Sequence, residues 1–241
     1  MTEVFDYIES NLRNLRQRIE NICRQHGSNA GEINIVAVSK TFPAGAIETA
    51  LKFNIQDFGE NRPQELAAKE SLLRGKNIKW HQIGSLQTNK VRLIAPFVYL
   101  IHSVDSLKLA MKINSEAEKH KRVINCLIQV NTSKEPQKNG CMPSETLNLA
   151  RQISAMENIR ICGLMTLAKM MTDENNPAER NIVRENFRTL RELFLELRDM
   201  NIPGTDFKYL SMGMTSDYDI AIEEGSNMLR IGSAIFGSRN M

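Results

Sequence analysis

A primary amine at the end of a buried strand is the group in this chain best placed for covalent chemistry. Residues 33–40 read INIVAVSK. The run 35–38 is short, apolar and rich in β-branched residues, the pattern of a parallel strand covered on both faces, and it stops at Ser39 and Lys40. A lysine whose environment favours the neutral amine adds to a carbonyl to form a Schiff base, whereas most lysines after strands are solvated loop charges. Two later stretches have the composition of an anion cradle: Ser211-Met212-Gly213-Met214-Thr215 and Arg230-Ile231-Gly232-Ser233-Ala234. Glycines and hydroxyls let backbone N–H groups approach an anion, and a helix opening after Ser233 would add its positive end. The same composition also marks ordinary strand-to-helix turns.

These residues need a scaffold that brings distant segments together, and the chain alternates in the way that supplies one. Strands are predicted at 35–38, 55–58, 78–83, 97–102, 123–130, 159–165, 207–210 and 228–231, each followed by a helical pattern or a turn into one. Pro43 opens one helix, Asp105 or Ser106 caps another, Asn176-Pro177 starts a long one, and Ser216 or Asp217 caps the last full one. Eight strand-helix units in 241 residues point to an α/β fold, a closed (β/α)8 barrel forming one domain over 1–241, rather than an open sheet. Before the first strand, Phe5, Ile8, Leu12, Leu15, Ile19 and Ile22 recur in steps of three and four, and His26-Gly27 ends that amphipathic helix. Only ten residues follow residue 231, too few for a full covering helix. The N-terminal helix is therefore predicted to fill the outer position between the last and first strands.

In such a barrel the C-terminal strand ends form one reactive face. Lys40, Asn61, His81 or Gly84, Ser103, Asn131, Met165, Ser211 and Arg230 should converge there. The charge balance, 31 basic against 28 acidic residues for a net +3, gives no basic excess of the kind nucleic acid binding needs. No stretch approaches the ~20 apolar residues of a membrane span, and the charged N-terminus has no apolar export signal, so a cytoplasmic protein is expected. The four cysteines lack CxxC spacing, and neither a metal nor a disulfide is expected.

A lysine on the first strand, an anion cradle across the mouth and an arginine on the last strand suggest pyridoxal 5′-phosphate (PLP). The sequence resembles the pyridoxal phosphate homeostasis protein family, whose barrel is similar to the N-terminal domain of alanine racemase. The resemblance rests on Val36-Ala37-Val38-Ser39-Lys40-Thr41, Phe58-Gly59-Glu60-Asn61, residues 80–90 (WHQIGSLQTNK), Gly163-Leu164-Met165, Ser211-Met212-Gly213-Met214 and residues 230–237 (RIGSAIFG), which together span nearly the whole chain. It implies that Lys40 carries PLP as an aldimine and that Ser211, Met212, Gly232 and Ser233 hold the phosphate, mostly through backbone N–H groups. It further implies that Arg230 faces the pyridine nitrogen and that Asn61, His81 and Met165 line the pocket, Asn61 near the ring oxygen. Arg62-Pro63, Thr215 and Asn227 depart from the family pattern, and none of them removes an anchoring group. The implied function is vitamin B6 homeostasis by a monomeric, non-catalytic carrier whose partners are PLP and PLP-dependent apo-enzymes. The competing class is an amino-acid racemase, which needs an acid/base group on the other face of the cofactor. In the resembling enzyme that group comes from a second domain, for which no sequence remains here after Met241.

Overall fold

The computed structural model describes residues 5–237. Along the chain run α1 (Tyr7–His26), β1 (Asn34–Val38), α2 (Ala44–Lys52), β2 (Asp57–Glu60), α3 (Pro63–Leu72), β3 (Lys79–Gln82), the single turn α4 (Val91–Ile94), β4 (Leu100–Val104) and α5 (Leu107–Lys119). Then follow β5 (Ile124–Gln129), α6 (Thr146–Ser154), β6 (Ile159–Met165), α7 (Pro177–Asp199), β7 (Thr205–Ser211), α8 (Tyr218–Glu223), β8 (Met228–Ile231) and the short α9 (Ser233–Phe236). The eight strands close in sequence order into a parallel barrel, β8 pairing β1.

Two strands lie further along the chain than their apolar residues suggest. The expected strand 55–58 is β2 at 57–60, because Ile55 is drawn into the end of α2, its N–H donating to Ala50 O at 3.4 Å. Asp57 through Glu60 instead register with Lys79 through Gln82. The expected strand 97–102 is β4 at 100–104, since the amides of Phe97 and Val98 both close onto Ile94 O. The helix expected at 87–95 divides into a 3-10 turn at Thr88–Lys90 and α4.

Strand periodicity divides the barrel into an outer core under the helices and a smaller inner one. The inner cluster contains Val36, Leu100, Leu127, Cys162, Met165 and Met228. Interleaved with it on the inward faces are polar residues, His81, His102, Ser211 and Arg230, all buried.

α1 covers the seam where β8 meets β1, as its place before the first strand requires. It packs on α8, α9 and α2. Tyr7 Oη donates to Phe236 O and Asn11 Nδ2 to Ile235 O, both at 3.0 Å. Gly27, at φ 68°, closes the helix in the left-handed conformation, its N–H donating to Cys23 O. Ile8, Leu12, Leu15 and Ile19 are at most 3% exposed. Leu12→Ala is expected to cost about 2–5 kcal/mol, the range for truncating a buried leucine. Urea unfolding measures it, and a loss below about 1 kcal/mol would show that the helix does not seal the seam.

Candidate functional site

Register brings the amine and the second glycine turn to one end of the barrel. Val36 pairs with Arg230 and Ala37 with Ile231, so Lys40 and the Gly232-Ser233 turn leave neighbouring strands at the same edge. Lys40 is half-buried, two residues past β1, and Asn61 is half-buried one residue past β2. Met165 ends β6 with its side chain in the inner cluster. The two glycine turns are tied together: Arg230 N–H donates to Gly213 O at 3.0 Å, and Ala234 N–H donates to the Thr215 hydroxyl at 3.4 Å. Gly213 has φ 93°, and a Cβ there would lie 2.6 Å from the Ala221 Cβ, so only glycine lets this turn fold flat onto α8.

The segment that presents Lys40 is clamped by an ion triad in which Lys69 and Glu60 are buried and Glu65 is half-buried. Lys69 Nζ donates to Ser39 O (2.7 Å), Glu60 Oε1 (2.7 Å) and Glu65 Oε1 (2.8 Å). Ser39 Oγ donates to Glu60 Oε1 at 2.7 Å, and Thr41 N–H donates to Glu65 Oε1 at 2.6 Å. Both chain neighbours of Lys40 are thus fixed by the same three charges. Thr41 is held at φ 71°, a left-handed conformation that costs a β-branched residue about 1–3 kcal/mol and persists only where its surroundings enforce it. Neither Glu60, Glu65 nor Lys69 is among the residues expected at the barrel mouth. A signal was present: Lys69 falls on the Leu66/Leu73 stripe of α3, four residues after Glu65, where a charge is buried unless the helix stands free.

Burial pushes the Glu60 carboxyl up from 4.5 to about 7, against the opposing pull of Lys69 and the Ser39 hydroxyl. Burial also works on Glu65, but hydrogen bonds from Lys69 and the Thr41 amide outweigh it and leave that carboxyl below its ordinary value. A raised acid binds its proton more tightly folded than unfolded, so its contribution to stability falls as pH rises from about 4.5 through 7. The unfolding free energy of the native protein, compared with Glu60→Gln, is expected to fall over that window by up to ~3 kcal/mol. A difference independent of pH, followed by denaturant unfolding, would remove Glu60 as the titrating group.

Inside the barrel, polar side chains join β2 to β8. His81 Nε2 lies 2.9 Å from Asp57 Oδ1, His81 Nδ1 lies 2.9 Å from His102 Nε2, and His102 Nδ1 lies 3.1 Å from Ser211 Oγ. Arg230 donates through one terminal nitrogen to Ser211 Oγ (2.7 Å) and through the other to Thr166 O (2.8 Å). Burial pulls the Arg230 guanidinium down to about 10, with Asp217 opposing, which leaves it charged at neutral pH.

Strand position decides where three of the expected site residues lie. His81 does not rim the mouth; it is wholly buried in the inner face beside Tyr99, because it stands within β3 and not after it. The Ser211 hydroxyl turns inward to His102 and Arg230, where the strand period sends it. The Met212 N–H, expected to be available to a phosphate, donates to Met228 O at 3.2 Å across the β7–β8 seam. Among the described residues no group of three or more His, Cys, Asp or Glu side chains is arranged to hold a metal, and no helix is long and apolar enough to cross a membrane.

Residues 10–240 match the family model described as alanine racemase, N-terminal domain. A pyridoxal phosphate homeostasis protein of Haemophilus influenzae is 39% identical over 236 residues, covering 97% of this chain and 96% of the relative. PipY of Synechococcus elongatus, solved with PLP bound, is 31% identical with a TM-score of 0.81, covering 95% of this chain and 100% of its own. Alanine racemase of Clostridium difficile, 18% identical with a TM-score of 0.74, shares the fold; the match covers 98% of this chain and 58% of the racemase.

Proposed function

The chain belongs to the pyridoxal phosphate homeostasis protein family, within the alanine racemase N-terminal domain family, and from that premise we propose that it binds PLP at the barrel mouth and serves PLP homeostasis as a carrier. In this reading 1–241 acts as one domain, and Lys40 would hold the cofactor covalently through its side-chain amine. The amides of Gly232 and Ser233 take the phosphate, with Ser211 and Met212 bracing the adjoining turn. Arg230 would face the ring nitrogen and Asn61 would lie by the ring oxygen, with the buried Met165 and His81 beneath as the floor. The observation that carries this is the β1–β8 register, which sets an amine, a charged guanidinium and a glycine-hydroxyl turn on two adjacent strands at one barrel end. That donor set suits an aldehyde bearing a phosphate and a ring nitrogen. We assign the protein to the cytoplasm, where thiols such as its four buried cysteines stay reduced.

When bound, PLP supplies an electron sink for carbanions. Arg230 works against that role: a guanidinium charged at neutral pH and fixed by two hydrogen bonds disfavours a proton on the ring nitrogen facing it. Carbanion chemistry would be muted by this arginine, not abolished. Incubating PLP-loaded protein with L-amino acids in deuterated water tests this. Exchange of the α-proton no faster than with free PLP is expected; faster exchange would favour the racemase-like enzyme.

A further inference from the structure

The chain of hydrogen bonds inside the barrel can be oriented atom by atom. At one end the Arg230 guanidinium can only donate, and at the other the Asp57 carboxylate can only accept. Between them stand a hydroxyl and two imidazoles. Asp57 Oδ1 requires the His81 hydrogen on Nε2, which leaves Nδ1 of a neutral ring as the acceptor for His102 Nε2–H. His102 Nδ1 then accepts the Ser211 hydroxyl hydrogen, and Ser211 Oγ accepts from Arg230. Every donor points the same way, from cation to anion. A protonated His81 would reverse the bonds beyond it and leave the Ser211 hydrogen, in a wholly buried side chain, with no other acceptor among the described residues. Burial lowers the pKa of both imidazoles, helped at His81 by Lys79 and at His102 by His81 and Arg230, and opposed at His81 by Asp57. Tyr99 packs against the His81 ring without a hydrogen bond to it.

We propose that Asp57, at the N-terminal end of β2 and so at the opposite end of the barrel from the cofactor mouth, is a remote positioning residue for Arg230, acting through a one-directional relay of His81, His102 and Ser211. The relay fixes the Ser211 lone pair on the guanidinium and thereby sets the orientation of the charge that Arg230 presents at the mouth. Ser211 is in this way an orienting residue for the arginine and has no hydroxyl hydrogen left for a phosphate. The effect on the cofactor rests on the reading above, in which Arg230 faces the ring; the relay itself does not.

Nitrogen-15 NMR of the imidazoles in cofactor-free protein tests the relay alone. Both rings are expected to be neutral at neutral pH, with Nε2 protonated and Nδ1 bare. A protonated Nδ1 on either ring overturns the proposal. The visible absorption spectrum of PLP-loaded protein tests its reach. Asp57→Ala is expected to shift the band in the same direction as Arg230→Gln, and Asp57→Asn, which keeps an acceptor oxygen, to restore part of the native position. A moved band in Arg230→Gln with native spectra in both Asp57 variants overturns the relay and leaves the reading of Arg230 standing. Native spectra in all three overturn that reading, and the proposal with it. The NMR measurement needs no variant, so the proposal stays open to refutation even if Asp57→Ala does not fold.

Discussion

Lys69→Met is expected to destabilise the protein by about 3–5 kcal/mol, the usual cost of removing one partner of a buried ion pair. Against the 5–15 kcal/mol by which domains are ordinarily stable, that is a large fraction. The side chain is 8% exposed, and all three of its hydrogens are used. Its loss leaves Glu60 with only the Ser39 hydroxyl as partner and strips Ser39 O of the lysine that meets it. The effect should reach the site, because the same three charges fix the residues on either side of Lys40, and PLP binding is expected to weaken along with stability. Replacing both partners, Lys69→Met with Glu60→Leu, should recover part of the stability, since no unpaired charge is then buried. Urea unfolding of the three variants measures this. A loss below about 1 kcal/mol for Lys69→Met would show that the triad is not a clamp.

Lys40→Ala has the second large effect, on binding rather than on folding. Without the amine, PLP would be held only by the non-covalent contacts of the phosphate turn, Arg230 and the pocket residues. The affinity is expected to fall at least about 100-fold, or ~3 kcal/mol, and the yellow colour of the loaded protein to disappear. The unfolding midpoint of the cofactor-free variant, measured alongside, separates loss of the amine from loss of the fold. Unchanged affinity would mean that another group carries the cofactor.

What could be read in the sequence followed from how local its causes are. The strands 159–165 and 228–231 were legible to the residue, because each is a mostly apolar segment, holding a single arginine, between clear breaks. The left-handed Gly27, a cap at Asp105 or Ser106, which the structure places on Ser106, and the Asn176-Pro177 start were legible because capping depends on a few adjacent residues. β2 was misplaced by two residues because half of it is Gly59 and Glu60, a glycine and a charge whose burial depends on Lys69, nine residues away on a helix. The relay was out of reach for the same reason. Asp57, His81, His102, Ser211 and Arg230 sit on five different strands, and nothing in their spacing links them until the barrel closes. The nearness of Lys40 and the Gly232 turn was legible only by way of the eightfold alternation, which makes the first and last strands neighbours.

The covalent role of Lys40 has the most direct test. PLP-loaded protein is reduced with borohydride, digested, and the modified lysine identified by peptide mass mapping. The adduct is expected on the peptide containing Lys40, in close to one equivalent per chain. An adduct found chiefly on Lys90 or another lysine, with Lys40 unmodified, would contradict the site.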